Sequence, residues 1–274
     1  MYLPQISKLF LLFIAFRAGG GFFKKFKQKN PLFFTLRNDI ISNFVPKFLV
    51  TIPYQLNHMK ELDFLLAEKL LKISAIKLQP DCPFTWASGW NSPIYTDNRL
   101  TLSYPEIRNF IKVELSRLVL EHFGDAEVVA GVATGAIAQG ALVADTLGKP
   151  MVYVRSAPKD HGLENLIEGN IKPGQKVVVV EDLVSTGKSS LKAVEALRNA
   201  GAEVLGMVAI FTYEFPQAAE AFQEAGVKLV TLSNYSAMIK AAVSTSYIKA
   251  SDEAQLQLWR EDPENWAPSE LNIE

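Results

Sequence analysis

The chain has 274 residues, 49% hydrophobic and 21% charged, with a formal net charge of −1, which is long enough for one large core and far from the composition of a disordered chain. A single cysteine, Cys82, excludes an internal disulfide framework and points to a reducing compartment. Near-neutral charge conceals a division: residues 1–58 carry eight Lys/Arg against one Asp/Glu, whereas residues 59–274 carry twenty against twenty-eight.

That first segment also holds ten of the seventeen Phe residues, beside Gly19-Gly20-Gly21 and the cluster Lys24, Lys25, Lys27 and Lys29. Its apolar run LFLLFIAF has eight residues, far short of the roughly 20 needed to span a bilayer. An export signal, with Arg17 interrupting the small residues near a cleavage point, and a surface-lying basic aromatic segment are two readings. The favoured third reading is that translation starts at Met59, so that 1–58 is an extension outside the native protein and 59–274 is the working domain.

From Met59 the apolar positions Leu62, Leu65, Leu66, Leu70 and Ile73 recur at helical spacing and predict an amphipathic helix. The short segments IKL, FTW and PIYTD, separated by prolines and Ser-Gly turns, predict small strands, which with that helix form an N-terminal hood over 59–105. Thr101 to Phe123 predicts a long helix, with Ser103 as N-cap, Pro105 in the first turn and Gly124 after its end.

From Glu127 strands and helices alternate: EVVAGV, AIAQGALVADTLG, PMVYV, KVVVV, SLKAVEALRNAG, AEVLGMVAIF, PQAAEAFQEAG and VKLVTL. This pattern predicts an α/β domain, a parallel-sheet core with helices on both faces. Between the first strand and its helix lies the small-residue turn Ala133-Thr134-Gly135-Ala136, equally suited to anion approach and to close packing. Arg155 to Leu163, RSAPKDHGL, reads as a mobile loop in which Arg155, Lys159 and His161 could offset charge on a departing anion; a plain solvated basic loop is the rival.

Lys176 to Ser190, KVVVVEDLVSTGKSS, carries the strongest signal. Val177 to Val180 read as a strand buried on both faces, and Glu181 and Asp182 fall at its carboxyl end, where open α/β sheets keep their ligand crevice. The turn Ser185-Thr186-Gly187-Lys188-Ser189 then opens a helix whose free N–H groups favour a phosphate. A nucleotide-triphosphate loop is excluded, because Asp182 stands where G-x-x-x-x-G-K-[ST] needs its first glycine. The alternative is that acidic residues merely end the strand and hydroxyls merely cap the helix.

VVVVEDLVSTGKSS resembles the phosphoribosyl-pyrophosphate signature of the type I phosphoribosyltransferases, and Phe84 to Glu106, FTWASGWNSPIYTDNRLTLSYPE, resembles the amino-terminal region of the orotate phosphoribosyltransferases. The likeness covers about 59–250. It implies the type I fold with a hood. By the same likeness Glu181 and Asp182 hold the ribose hydroxyls, and Ser185, Thr186, Gly187, Lys188 and Ser189 hold the 5′-phosphate. Thr134 and Gly135 belong to the pyrophosphate loop, Arg155, Lys159 and His161 to a lid shared across a homodimer, and Tyr95 to the orotate side of the site. Mg²⁺ as cofactor, Asp182 among the catalytic groups and a cytoplasmic setting without membrane or nucleic acid follow from the same likeness. The family's patterns also include a Lys near Ala87, a Lys in the pyrophosphate loop, a second basic residue at Ser156 and an Arg near Phe211 to Glu214, none of which this chain has. Trp86, Trp90 and Tyr95 could stack on a flat pyrimidine or be core aromatics of the hood. A phosphoribosyltransferase for another base, or a non-catalytic sensor, are the alternatives in function.

Overall fold

The computed structural model describes residues 62–86, 88–157 and 166–266. The chain order is helix α1 (62–72), β1 (Ile76–Leu78), β2 (Phe84–Thr85), β3 (Asn91–Ser92), β4 (Ile94–Thr96), a 3₁₀ helix (Asn98–Ser103), α2 (Pro105–His122) and β5 (Val128–Val132). There follow α3 (Ile137–Leu147), β6 (Met151–Val154), β7 (Ile167–Glu168), β8 (Lys176–Val184), α4 (Lys188–Asn199), β9 (Glu203–Thr212), α5 (Pro216–Glu224), β10 (Leu229–Asn234), α6 (Tyr235–Ser244), a 3₁₀ turn (Ala250–Asp252) and α7 (Glu253–Glu261).

Six strands form the main sheet in the order β10-β9-β8-β5-β6-β7, parallel except for β7. The α/β expectation is met. Val177 to Val180 are fully buried, as strands covered on both faces require. The chain leaves β5 through α3 towards β6 but leaves β8 through α4 towards β9, in opposite directions along the sheet. Right-handed crossovers therefore put these helices on opposite faces, and a crevice opens between the carboxyl ends of β5 and β8. Two glycines bring α3 close to the sheet: a Cβ on Gly131 would lie 2.8 Å from the Ala136 carbonyl oxygen, and one on Gly140 would lie 3.1 Å from Gly131 Cα.

Three features differ from the sequence expectation. The long helix begins at Pro105 rather than near Ser103, and its N-cap is Tyr104, without a side-chain hydrogen bond. Proline disfavours helical geometry in the residue before it, and Tyr104 is extended at φ −113° and ψ 95°, so Ser103 belongs to the preceding 3₁₀ helix. Strand β7 was not anticipated, because two residues are too few to show a period. Helix α6 was also missed, although Asn234 accepts from the Ala237 N–H as its N-cap and Met238, Ile239, Ala241 and Ala242 bury its apolar face.

The strands of the hood form two small antiparallel pairs, β1 with β4 and β2 with β3. It is tied to the sheet by an aromatic cluster centred on Trp259 of α7, which is fully buried. Its ring lies 5.3 Å from Phe215, 5.5 Å from Tyr235, 5.6 Å from Trp86 and 5.8 Å from Tyr213, and its indole N–H donates to the Asn91 carbonyl at 3.2 Å. Trp86 is half-buried against this cluster, its own N–H donating to the Ile94 carbonyl at 3.0 Å. Among the described residues no helix is long and apolar enough to cross a membrane.

Candidate functional site

Beyond the shared end of β5 and β8 lies a cavity of about 280 Å³, lined by Val132 to Gly135 on one side and by Glu181 to Leu183, Ser185 to Gly187 and Ser189 on the other. Three segments meet there for separate reasons. Strand β8 delivers its two carboxylates, the β5–α3 turn delivers Thr134 and Gly135 across a cis Ala133–Thr134 peptide, and α4 begins against the cavity. Gly187, at φ 81°, caps α4 in the left-handed conformation that glycine enters without strain. No side chain caps that helix, so its first N–H groups are left for an anion.

The two carboxylates differ in their surroundings. Glu181 is 3% exposed; its Oε2 accepts from Ser190 Oγ at 2.8 Å and its Oε1 from the Asp182 N–H at 2.9 Å. Burial, followed by the negative charge of Asp182, pushes its pKa well above the usual carboxylate range, and these donors only partly oppose the rise. Burial also raises Asp182, which hydrogen bonds and the positive charge of Arg99 pull back. Two adjacent raised carboxylates at a cavity wall are poised to accept from vicinal hydroxyls or to meet a cation.

Of the residues singled out in the sequence, Thr134, Gly135, Glu181, Asp182, Ser185, Thr186, Gly187 and Ser189 all line this cavity. Lys188 does not. It is exposed and lines a separate groove with Leu191, Lys192 and Arg198, so only its backbone lies at the helix start. Tyr95 is 42% exposed on β4, 5.7 Å from the Phe84 ring, and is not part of the lining. Arg155 follows β6, with its guanidinium 3.8 Å from Glu168, while Lys159 and His161 lie outside the described residues.

Sequence reasoning missed Asn98, Arg99 and Ser190. Asn98 Nδ2 donates to the Asp182 carbonyl at 2.6 Å, and Arg99 pairs with Asp97 at 2.7 Å while its charge is felt at Asp182. No local pattern shows that Asn98 meets a residue 84 positions away. Ser190 stood in the quoted motif, and its one-turn distance behind Gly187 was the available signal.

A helix start with no side-chain cap, facing paired carboxylates at the crevice of a parallel sheet, defines the class, and a family profile described as the phosphoribosyl transferase domain matches residues 109–247. The orotate phosphoribosyltransferase of Bacteroides thetaiotaomicron is 67% identical over 208 residues, 76% of this chain and 98% of that protein. That of Cytophaga hutchinsonii is 56% identical over 211 residues, 77% of this chain and 99% of that protein. Among solved structures, the orotate phosphoribosyltransferase of Aeropyrum pernix is similar with a TM-score of 0.59 at 30% identity, covering 67% of this chain and 99% of its own. The Mycobacterium tuberculosis enzyme in complex with 5-phospho-alpha-D-ribosyl 1-diphosphate has a TM-score of 0.50 at 27% identity, covering 64% and 98%. This chain belongs to the orotate phosphoribosyltransferase family.

Proposed function

We propose that the chain transfers ribose 5-phosphate from phosphoribosyl pyrophosphate to orotate, with Mg²⁺, giving orotidine 5′-monophosphate and pyrophosphate on the route to UMP. The observation that carries this reading is the Glu181–Asp182 pair set at the crevice opposite Thr134 and Gly135, in a chain of this family.

Displacing pyrophosphate from the anomeric carbon builds positive charge on the ribose and negative charge on the leaving group. Asp182 and Glu181 accept from the ribose 2′ and 3′ hydroxyls and face the growing positive charge. Ser185, Thr186, Gly187, Ser189 and the backbone of Lys188 hold the 5′-phosphate at the start of α4, and Thr134 and Gly135 meet the pyrophosphate. Orotate N1 attacks the face opposite the leaving group, so no enzyme nucleophile is required. Arg155, with Lys159 and His161, is assigned to the pyrophosphate oxygens, His161 as a proton or hydrogen-bond donor.

The residues fit a magnesium ion shared with substrate. Among the described residues no three metal-ligating side chains cluster, yet two carboxylates stand at the cavity, and Mg²⁺ is commonly held by one or two carboxylates, water and substrate phosphates. Glu181 and Asp182 would hold it directly or through water, and it would supply neutralisation of the pyrophosphate charge.

A homodimer with the lid crossing between protomers belongs to the same proposal. Val113 and Leu120, seven residues apart on α2 and 52% and 53% exposed, put two large apolar side chains on one face of that helix, which supports that reading. The activity is assigned to 59–274, with residues 59–105 as its hood, in a cytoplasmic setting. Loss of orotate absorbance with phosphoribosyl pyrophosphate and Mg²⁺ tests the function in the full chain and in 59–274 side by side. Turnover in both supports the reading, whereas unchanged orotate with intact phosphoribosyl pyrophosphate binding would redirect it to another base or to a sensor.

A further inference from the structure

Strand β8 loses one of its two neighbours before it reaches its functional end. On the β5 side the register stops at Gly131 opposite Val180, whereas on the β9 side it continues through Glu181 opposite Ala209 to Val184 opposite Thr212. In a parallel ladder, successive backbone groups turn to alternate neighbours, so groups on the β5 side beyond Val180 have no strand to bond. The Asp182 carbonyl is instead met by Asn98 Nδ2 at 2.6 Å.

That contact is one end of a buried polar chain. Thr101 Oγ1 donates to the Asn98 carbonyl at 2.6 Å and accepts from Gln139 Nε2 at 3.3 Å. Asn98, Thr101 and Gln139 are 2%, 0% and 1% exposed. Gln139 is in the first turn of α3, directly behind the Thr134–Gly135 turn, so the chain joins the carboxylate end of β8, the hood and the helix after the opposite loop. Asn98 Oδ1 and Gln139 Oε1 are buried and accept no hydrogen bond from a described residue. Half-satisfied buried amides cost stability relative to apolar side chains of similar size, so their presence here is better explained by what they position.

We infer that Asn98 is a positioning residue for the transfer reaction: its side chain replaces the missing β5 partner at Asp182 and fixes the carboxylate pair relative to the hood and the opposite loop. This rests on the proposed function, since the consequence read is on phosphoribosyl pyrophosphate. The linkage makes the ribose clamp depend on the seating of the hood.

The test compares the full chain with Asn98→Leu, which removes the donor with the same branching, and Asn98→Ala, which removes it without adding bulk or charge beside Asp182. The measurements are thermal unfolding, kcat/KM for phosphoribosyl pyrophosphate, KM for orotate, and calorimetric binding of phosphoribosyl pyrophosphate with Mg²⁺. Both variants are expected to lose about tenfold in kcat/KM and affinity for phosphoribosyl pyrophosphate, with KM for orotate within about twofold, alongside a lower Tm because each leaves the Asp182 carbonyl without its donor. Parent-level affinity and kcat/KM in folded Asn98→Leu overturn the inference, as does a fall in Tm with the folded fraction fully active, which marks a merely structural role. If Asn98→Leu fails to fold, Asn98→Ala decides by the same measurements. Failure of the unsubstituted chain to consume orotate would count against the proposed function, and the calorimetric comparison would still decide the role of Asn98.

Discussion

Gly135 stands so close to Asp182 that a Cβ added to it would lie 2.0 Å from Oδ2 and 2.3 Å from the carboxyl carbon. The opposite walls of the cavity therefore touch at a position where only hydrogen fits. Gly135→Ala is expected to leave the fold intact, because the obstructing atoms belong to a side chain that can turn away, and to displace the Asp182 carboxylate. A loss on the order of a hundredfold in kcat/KM is expected, the usual consequence of moving a reacting group by about an ångström. Circular dichroism beside the orotate assay separates this from unfolding.

Glu181 gives a pH dependence with a definite sign. Its raised pKa means that the folded protein binds more protons than the unfolded chain above the ordinary value of 4.5, so its contribution to stability is fully present below that value and is lost as pH rises through the folded pKa. Glu181→Gln is therefore expected to flatten the fall of Tm with pH in the ligand-free protein, and to weaken phosphoribosyl pyrophosphate binding at every pH. Unfolding curves across that range, with and without ligand, read both effects. A Tm profile identical to the parent's would show that Glu181 does not carry the titration.

Trp259 is the hub of the cluster that joins the hood to the sheet. Trp259→Ala empties a fully buried site and is expected to cost roughly 3–5 kcal/mol, seen as a lower midpoint in urea. Activity should fall too, because Trp86 and the hood lose their shared anchor.

Gly187→Ala acts on the phosphate end. Its φ of 81° costs a non-glycine residue about 1–2 kcal/mol, and its Cβ would lie 3.0 Å from the Phe222 ring. Weaker phosphoribosyl pyrophosphate binding, with a modest drop in Tm, is the expected calorimetric and thermal outcome.

The sheet and most of the cavity were legible in the residues themselves, because both signals are local. Four consecutive valines ending in Glu181-Asp182 show a strand buried on two faces and the place where its crevice falls, and the Ser185 to Ser189 turn shows the helix start beside it. Helix α6 and strand β7 were less legible, one because it follows β10 with no intervening turn residues and the other because two residues carry no period. What only the tertiary structure decided depends on meetings between distant segments. Asn98 reaches Asp182 across 84 positions, Gly135 closes on Asp182, and Trp86 packs edge-on against Trp259 from the far end of the chain. Lys188 was assigned to the phosphate as part of its turn, yet the helix it opens carries its side chain into another groove. Periodicity reports which elements form and which face is apolar; the distances between side chains are set by packing, and packing is a property of the whole fold.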